Sequence, residues 1–464
     1  MLIYLLIIIG LPLLYCVMKY NQINKKLSYL PGPSFFQFIL DFNKHRSITK
    51  LLTFYKKKYG DIYKIYFLGD VVINTPEHVK QTLRSNTRPK ESTDNLIAIS
   101  NTKGLFLKHG DEWKMFRNHL AKIFTNENLK KMADTVKNVT NKYTDVWEEQ
   151  LKVNKSVTVE ITSIFKKMTL DSLGLLVLSY DFESNKDSNK LIDNIIQIIN
   201  TAMFRITFPL PYWKLSFINL NRRLNACNKV VYDTVVKIID KKRNEEPTEN
   251  KKRYDDIIDI LQSIPEITDK DIFDEVITFI MAGYETTSIS LAFIFYMLCI
   301  YPEIQKKLRE ELHIIEADGN LFSNLNSVKY LDCVIKETLR MYNPVIINLR
   351  TTEEEIKFGE YIIPKDTEIL IDTVSIHKDE NYWKDPYVFD PERFNQSFPE
   401  NVFMPFGGGR RICIGKSFSM MEMKVITWYL LKNYKFRLID ENVEFIEYIF
   451  TKPKELIVEI KKIC

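Results

Sequence analysis

The chain has 464 residues, of which 45% are hydrophobic and 27% charged, ordinary proportions for a folded protein with a large core. Its formal net charge of +5 is too small for a dedicated nucleic-acid binder, and it is compatible with an anionic membrane surface or an acidic protein partner. The six cysteines (Cys16, Cys227, Cys299, Cys333, Cys413 and Cys464) form no CxxC pair, which excludes a disulfide framework and zinc spacing and suits a reducing compartment.

Residues 1 to 18 carry no charged side chain, and as a helix they span roughly 27 Å, close to a bilayer core. A cleaved signal peptide is the rival reading, but no basic region precedes the apolar run and no A-x-A site follows it. Lys19, Lys25 and Lys26 would keep the following flank cytoplasmic, and Pro31-Gly32-Pro33 would stiffen a hinge over residues 19 to 33. Asp61 to Asn74 reads as a hairpin turning at Gly69-Asp70. Trp113 and Arg117 stand at i and i+4 on one helix face; on their own they describe an ordinary amphipathic helix. From Leu129 to about Asn225 the pattern is mainly helical. Met203 to Trp213, rich in Pro and aromatics, either packs a core loop or touches a membrane or an apolar pocket. Lys241 to Asp256 reads as a solvated charged connector.

Asp271 to Ile300 is the longest helical pattern, stopped by Pro302. Gly283 is unfavourable in mid-helix by about 1 kcal/mol, which points to a packing or functional reason for it. Thr286 can hydrogen-bond the carbonyl of Ala282 and loosen the helix. A close helix–helix contact explains the small residues alone, whereas an adjacent acid and alcohol, Glu285 and Thr286, can relay protons into a dry site. Lys329 to Met341 is a further helix with Glu337 and Arg340 as neighbours. Val345 to Leu349 is an extended apolar run followed by Arg350.

The stretch Phe403 to Gly415, FMPFGGGRRICIG, combines three consecutive glycines, two arginines and Cys413 just before an amphipathic helix that starts at Lys416. Orphan N–H groups and the dipole at that helix start favour a thiolate. A bent backbone, a thiolate and guanidinium groups suit a planar, carboxylate-bearing metal macrocycle. A buried structural cysteine and a histidine-activated nucleophile are the alternatives. A phosphate loop at Gly415-Lys416-Ser417 lacks its earlier glycine, because that position holds Arg410.

Phe406 to Gly415 resembles the haem-binding signature of the cytochrome P450 family, with every fixed position filled. The resemblance extends over the whole chain. It implies a mainly α fold with a smaller β region, in which an anchor (1–18) and a hinge (19–33) precede a catalytic domain (34–464). It further implies haem b with Cys413 as axial iron ligand, Phe406 against the ring, and Trp113, Arg117, Arg350 and Arg411 seating the propionates. Thr286 and Glu285 would then organise protons, and Glu337, Arg340 and Arg393 would lock the cysteine loop. His377 could hold a propionate or a turn.

The activity implied is insertion of one oxygen atom of O2 into an apolar substrate, with electrons from an NADPH-dependent flavoprotein reductase docking near Lys122, Lys416 and Lys424. A haem-thiolate isomerase or dehydratase and a non-enzymatic haem sensor are the rival functions. Ile97, Leu105, Phe106, Phe204, Phe208, Phe279, Val345, Ile346 and Phe450 would line the substrate pocket. The location implied is the endoplasmic reticulum membrane, single-pass, with the catalytic domain facing the cytosol.

Overall fold

The computed structural model describes residues 11–66, 69–90, 93–94, 96–97, 102–184, 191, 193–198, 201, 219–244, 256–316, 320–447 and 450–463, which are mainly helical with a smaller strand fraction. Helices α1 (Leu11–Lys26), α2 (Phe35–His45) and α3 (Ile48–Tyr59) lead into the hairpin β1 (Ile62–Lys64) and β2 (Val71–Ile73), followed by α4 (Pro76–Thr82). The helical body comprises α5 (Gly110–Leu120), α6 (Asn126–Leu151), β3 (Val157–Glu160), α7 (Ile161–Leu173), α8 (Asn219–Asn244), α9 (Ile257–Gln262) and α10 (Asp269–Ile300). It continues through α11 (Pro302–His313), α12 (Leu321–Ser327) and α13 (Lys329–Met341). Strands β4 (Leu349–Thr351), β5 (Ile356–Phe358), β6 (Tyr361–Ile363) and β7 (Glu368–Ile371) precede α14 (Thr373–His377) and α15 (Lys416–Asn433). Strands β8 (Tyr434–Leu438), β9 (Phe445–Glu447), β10 (Thr451–Pro453) and β11 (Ile457–Lys462) close the chain.

Helix α10 is the axis of the core. It begins two residues before the pattern predicts, because Thr268 closes a capping box with Asp271, satisfying two orphan donors at once. It ends where Pro302 opens α11. Its side chains are buried almost all round; Phe293, Phe295 and Leu291 have no exposed surface, each adding roughly 1.5–3 kcal/mol of apolar burial. Gly283 has a packing reason: a Cβ there would lie 3.0 Å from Leu173 of α7, so its absence lets the two helices approach closely. Among the described residues, α10 is the one helix long and apolar enough to cross a membrane, but 72% of its apolar window is buried inside the protein. That composition belongs to a core helix.

The hairpin predicted from Asp61 to Asn74 forms, with Tyr63 opposite Val72. It belongs to a four-stranded sheet of order β1-β2-β7-β4, in which β2 runs parallel to β7 and the other pairs are antiparallel. Strand β3 falls inside the stretch expected to be helical. It exists because β11 supplies its partner residues, pairing Val159 with Val458 across almost 300 positions.

Residues 1–10 of the expected anchor lie outside the described residues. The described part is helical and runs through Lys19 as far as Lys26, so the structure has no break at residue 18. Ile23 and Leu27 of this segment are buried against Val71 and Ile73 of the sheet. This packing keeps residues 19–26 helical and confines the extended chain to the stretch around Pro31-Gly32-Pro33.

Candidate functional site

The glycine-rich loop lies between α14 and α15. Gly409 adopts φ +64°, and a Cβ there would sit 2.9 Å from the carbonyl oxygen of Leu83. Both the left-handed conformation and the close approach therefore require glycine. The loop folds back on itself through Cys413 N–H donating to the Phe406 carbonyl at 3.0 Å. Phe406 is half-buried against the main core.

Cys413 is exposed in surface terms, yet protein atoms pack around it closely enough that desolvation raises its pKa. Those two facts together place the sulfur on an internal cleft and not on the outer surface. The N–H groups of Gly415 and Lys416, together with the charges of Arg117 and Arg88, pull the pKa down as the sequence predicts. Burial acts in the opposite direction and is the larger influence in the absence of a bound metal.

Four arginines gather around this cleft. Arg411 donates to the carbonyls of Asn86 and Lys108, both at 2.9 Å, and its guanidinium carbon lies 4.1 Å from the centre of the Trp113 ring. Its Nη1 is buried without a partner. Burial, Arg350 and Arg117 together lower its pKa to about 10. Arg117 is half-buried and lies within electrostatic range of Cys413. Arg350 donates to Asn348 Oδ1 and the Leu349 carbonyl, both at 2.8 Å, and to the Gly408 carbonyl at 3.2 Å. It therefore braces the glycine loop as well as contributing charge. Arg88 has a buried, unpartnered Nε, and its guanidinium carbon lies 3.7 Å from the centre of the Phe106 ring. The positive charges of Arg350 and Arg411 lower its pKa further. Mutually repelling cations with orphan donors need an anion to be stable. A macrocycle bearing two carboxylates beside a cysteine sulfur meets that need, so the donor set fits haem.

On α10, Thr286 donates to the Ala282 carbonyl at 2.7 Å, as expected. Ala282 is exposed and Thr286 half-exposed on a helix that is otherwise buried. This strip of α10 therefore faces open space. Glu285 is almost fully buried, and its carboxylate accepts from Lys452 Nζ at 2.7 Å. The structure brings Thr286 to the open strip but commits the neighbouring acid to β10.

Beneath the loop, Glu337 accepts from Arg340 Nε at 2.7 Å and Nη2 at 2.9 Å, and from Arg393 Nε at 2.9 Å. All three side chains are buried, as the ExxR and PERF motifs predict. His377 Nε2 accepts the Met404 N–H at 3.0 Å, and its carbonyl accepts from Arg340 Nη1 at 2.7 Å. Burial, reinforced by Arg340, pushes its pKa down to about 3, so it is a neutral brace on the loop.

A sequence profile described as Cytochrome P450 matches residues 30–460. The chain belongs to the cytochrome P450 family. Among curated proteins it is similar to Cytochrome P450 3A9 of Rattus norvegicus, at 28% identity over 94% of this chain and 90% of that protein. It is 29% identical to Cytochrome P450 3A30 of Fundulus heteroclitus, over 83% of this chain and 82% of the relative. It is 28% identical to Probable cytochrome P450 4ac1 of Drosophila melanogaster, over 89% and 86%. This P450 chain binds haem b and is a haem-thiolate monooxygenase. Family membership implies a redox partner, hydrophobic substrates and endoplasmic reticulum membrane association.

Two features of this P450 escaped the sequence reading. One is Arg88. The other is Lys108, which is 1% exposed and pairs with Glu112 at 3.0 Å, Asp271 at 3.7 Å and Glu275 at 4.0 Å, tying α5 to α10. A lysine in a polar loop gives no sign of being buried. Of the expected pocket residues, Val345 and Phe450 meet in a β-bridge, Leu105, Phe279 and Ile346 are buried, and Phe106 is exposed. Phe204, Phe208 and the segment Met203 to Trp213 lie outside the described residues.

Proposed function

We propose that Cys413 would ligate the haem iron through its sulfur and that Arg88, Arg117, Arg411 and Trp113 would seat the two haem propionates, with Arg350 holding the loop against them. The observation that carries this assignment is the set of mutually repelling arginines, two of them with unpartnered buried donors, within electrostatic range of one another and of the Cys413 sulfur. Bound haem supplies the oxygen-activating redox chemistry and the thiolate pushes electron density onto its iron. The protein binds the ring, excludes water and handles protons. Thr286 offers its hydroxyl on the cleft side while its own hydrogen bond to Ala282 keeps it oriented, and Glu285 is the nearest acid in sequence.

The substrate is an apolar organic molecule, entering past Val345 and Phe450. Electrons come from an NADPH-dependent flavoprotein reductase, docking on exposed Lys122 and Lys416. Lys424 does not belong to that face. It is buried and pairs with Asp332 at 3.1 Å and Asn326 at 3.0 Å. The chain crosses the endoplasmic reticulum membrane once, through its N-terminal apolar run, with the catalytic domain in the cytosol. The test has two parts, the reduced carbon monoxide spectrum and product formation with reductase and NADPH. Thiolate-type absorption with reductase-dependent product supports the reading. Turnover that needs no reductase would instead favour an isomerase or dehydratase.

A further inference from the structure

Strands β9 and β10 form a two-stranded hairpin whose two strands are each tied to the body of the protein by a charged side chain. On β9, Glu447 accepts from Ser47 Oγ at 2.8 Å, Thr49 N–H at 2.7 Å and Thr49 Oγ1 at 2.7 Å, closing the start of α3. On β10, Lys452 holds Glu285 of α10 at 2.7 Å, with side-chain exposures of 26% and 8%. Glu447 and Lys452 are close in the ladder, because Thr451 pairs with Glu447 and Lys452 with Ile446. Two residues before Lys452, Phe450 bridges to Val345, two of the residues expected to line the substrate pocket. A second cation, Lys166 of α7, feels both partners: Lys452 lowers its pKa and Glu285 raises it.

We propose that Lys452 is a positioning residue for the monooxygenase reaction. It fixes the Glu285 carboxylate beside Thr286 and couples it to the hairpin that borders the substrate pocket. This inference rests on the reading of Glu285 and Thr286 as the proton-handling pair. A partly buried lysine–carboxylate pair with one dominant geometry sets where the acid sits. Because the same short hairpin is pinned at Ser47 and Thr49, a shift at Phe450 passes to Lys452 and is not absorbed by a free strand.

The test uses the full-length, haem-loaded protein and four variants: Lys452→Met, Lys452→Arg, Glu285→Gln and the Lys452→Met, Glu285→Gln double variant. The first readout is amide hydrogen exchange over residues 450–452, which needs no turnover. Each single Lys452→Met or Glu285→Gln change raises exchange by about tenfold or more, the double variant adds nothing further, and Lys452→Arg stays near wild type. The second readout is product formed per NADPH consumed. Lys452→Met and Glu285→Gln lower it severalfold with KM within about twofold, and Lys452→Arg restores it. Unchanged exchange in both single variants, or a Lys452→Met effect confined to KM, overturns the proposal. If the wild-type protein makes no product, the proton-handling reading fails instead, and the exchange series still decides whether the clasp exists.

Discussion

Thr169 of α7 donates a 2.9 Å hydrogen bond to the carbonyl of Tyr284 in α10. The neighbouring turn is loaded too, since Ser288 donates to the Glu285 carbonyl and Ser290 to the Thr286 carbonyl, both at 2.9 Å. Side-chain hydroxyls thus compete for the backbone carbonyls of the turn that presents Thr286, which loosens a helix locally. Replacing Thr169 by Val removes the donor without a large change of shape. The expected loss is about 1 kcal/mol of stability, measured by denaturant unfolding, with a lower ratio of product to NADPH consumed.

Thr286 itself is the sharper probe. Thr286→Ala keeps the helix and removes the hydroxyl on the open strip. Product per NADPH should fall on the order of tenfold or more, with substrate affinity unchanged, and Thr286→Ser should recover most of the loss. Equal coupling in Thr286→Ala and the parent would remove this residue from the proton path.

Haem retention should depend on the stacked pair Trp113 and Arg411. Trp113→Ala forfeits a cation–π contact of about 0.5–2 kcal/mol and uncovers a buried guanidinium, whereas Trp113→Phe keeps a ring face. Release of haem to an apo-globin acceptor should accelerate severalfold in the first variant and little in the second. Arg88→Leu should also accelerate release, although no motif marks that residue.

Removing Glu337 leaves Arg340 and Arg393 buried without their shared carboxylate. Glu337→Ala should cost about 3–5 kcal/mol, seen as loss of soluble haem-loaded protein. Cys413→Ser should fold but lose the thiolate-type spectrum. The pair separates a residue that holds the loop from one that holds the iron.

Glu275 gives the chain a pH dependence of defined sign. Its carboxyl is pushed up to about 8, chiefly by burial, opposed by the Leu105 N–H and Lys108 and reinforced by Asp274 and Asp271. The folded state therefore holds a proton that the unfolded state gives up above its ordinary carboxylate range. Stability from this group is complete below about pH 4.5 and is lost as pH rises through about 8. Glu275→Gln should flatten that decline, so thermal unfolding at pH 9 should move above that of the parent.

What could be read from the sequence was whatever depends on near neighbours. The cysteine loop, the Ala282–Thr286 bond, the Lys329–Met341 helix and the Glu337–Arg340 pair all sit within four residues or a continuous pattern. Arg393 needed a second motif. Strand β3, Arg88, the burial of Lys108 and the partner of Glu285 were not legible, because each is set by chain that arrives from far away. Lys452 is 167 positions from Glu285. Lys424 misled for a related reason: its helix places it against Asp332, which charge patterning alone does not reveal. The helix start was legible as an influence on Cys413, whereas the opposing burial depends on chain packed around it from elsewhere.

Pairing of β3 with β11 also bears on biogenesis. Val157 leaves the ribosome long before Ile460 exists to receive it, whereas the cysteine loop is finished some way ahead of that closing strand. The nascent chain thus carries an unzipped edge through most of its synthesis, and prosthetic-group capture becomes a late event. Chaperone dependence at this edge, and not at the glycine bend, is the expected bottleneck for yield in a heterologous host.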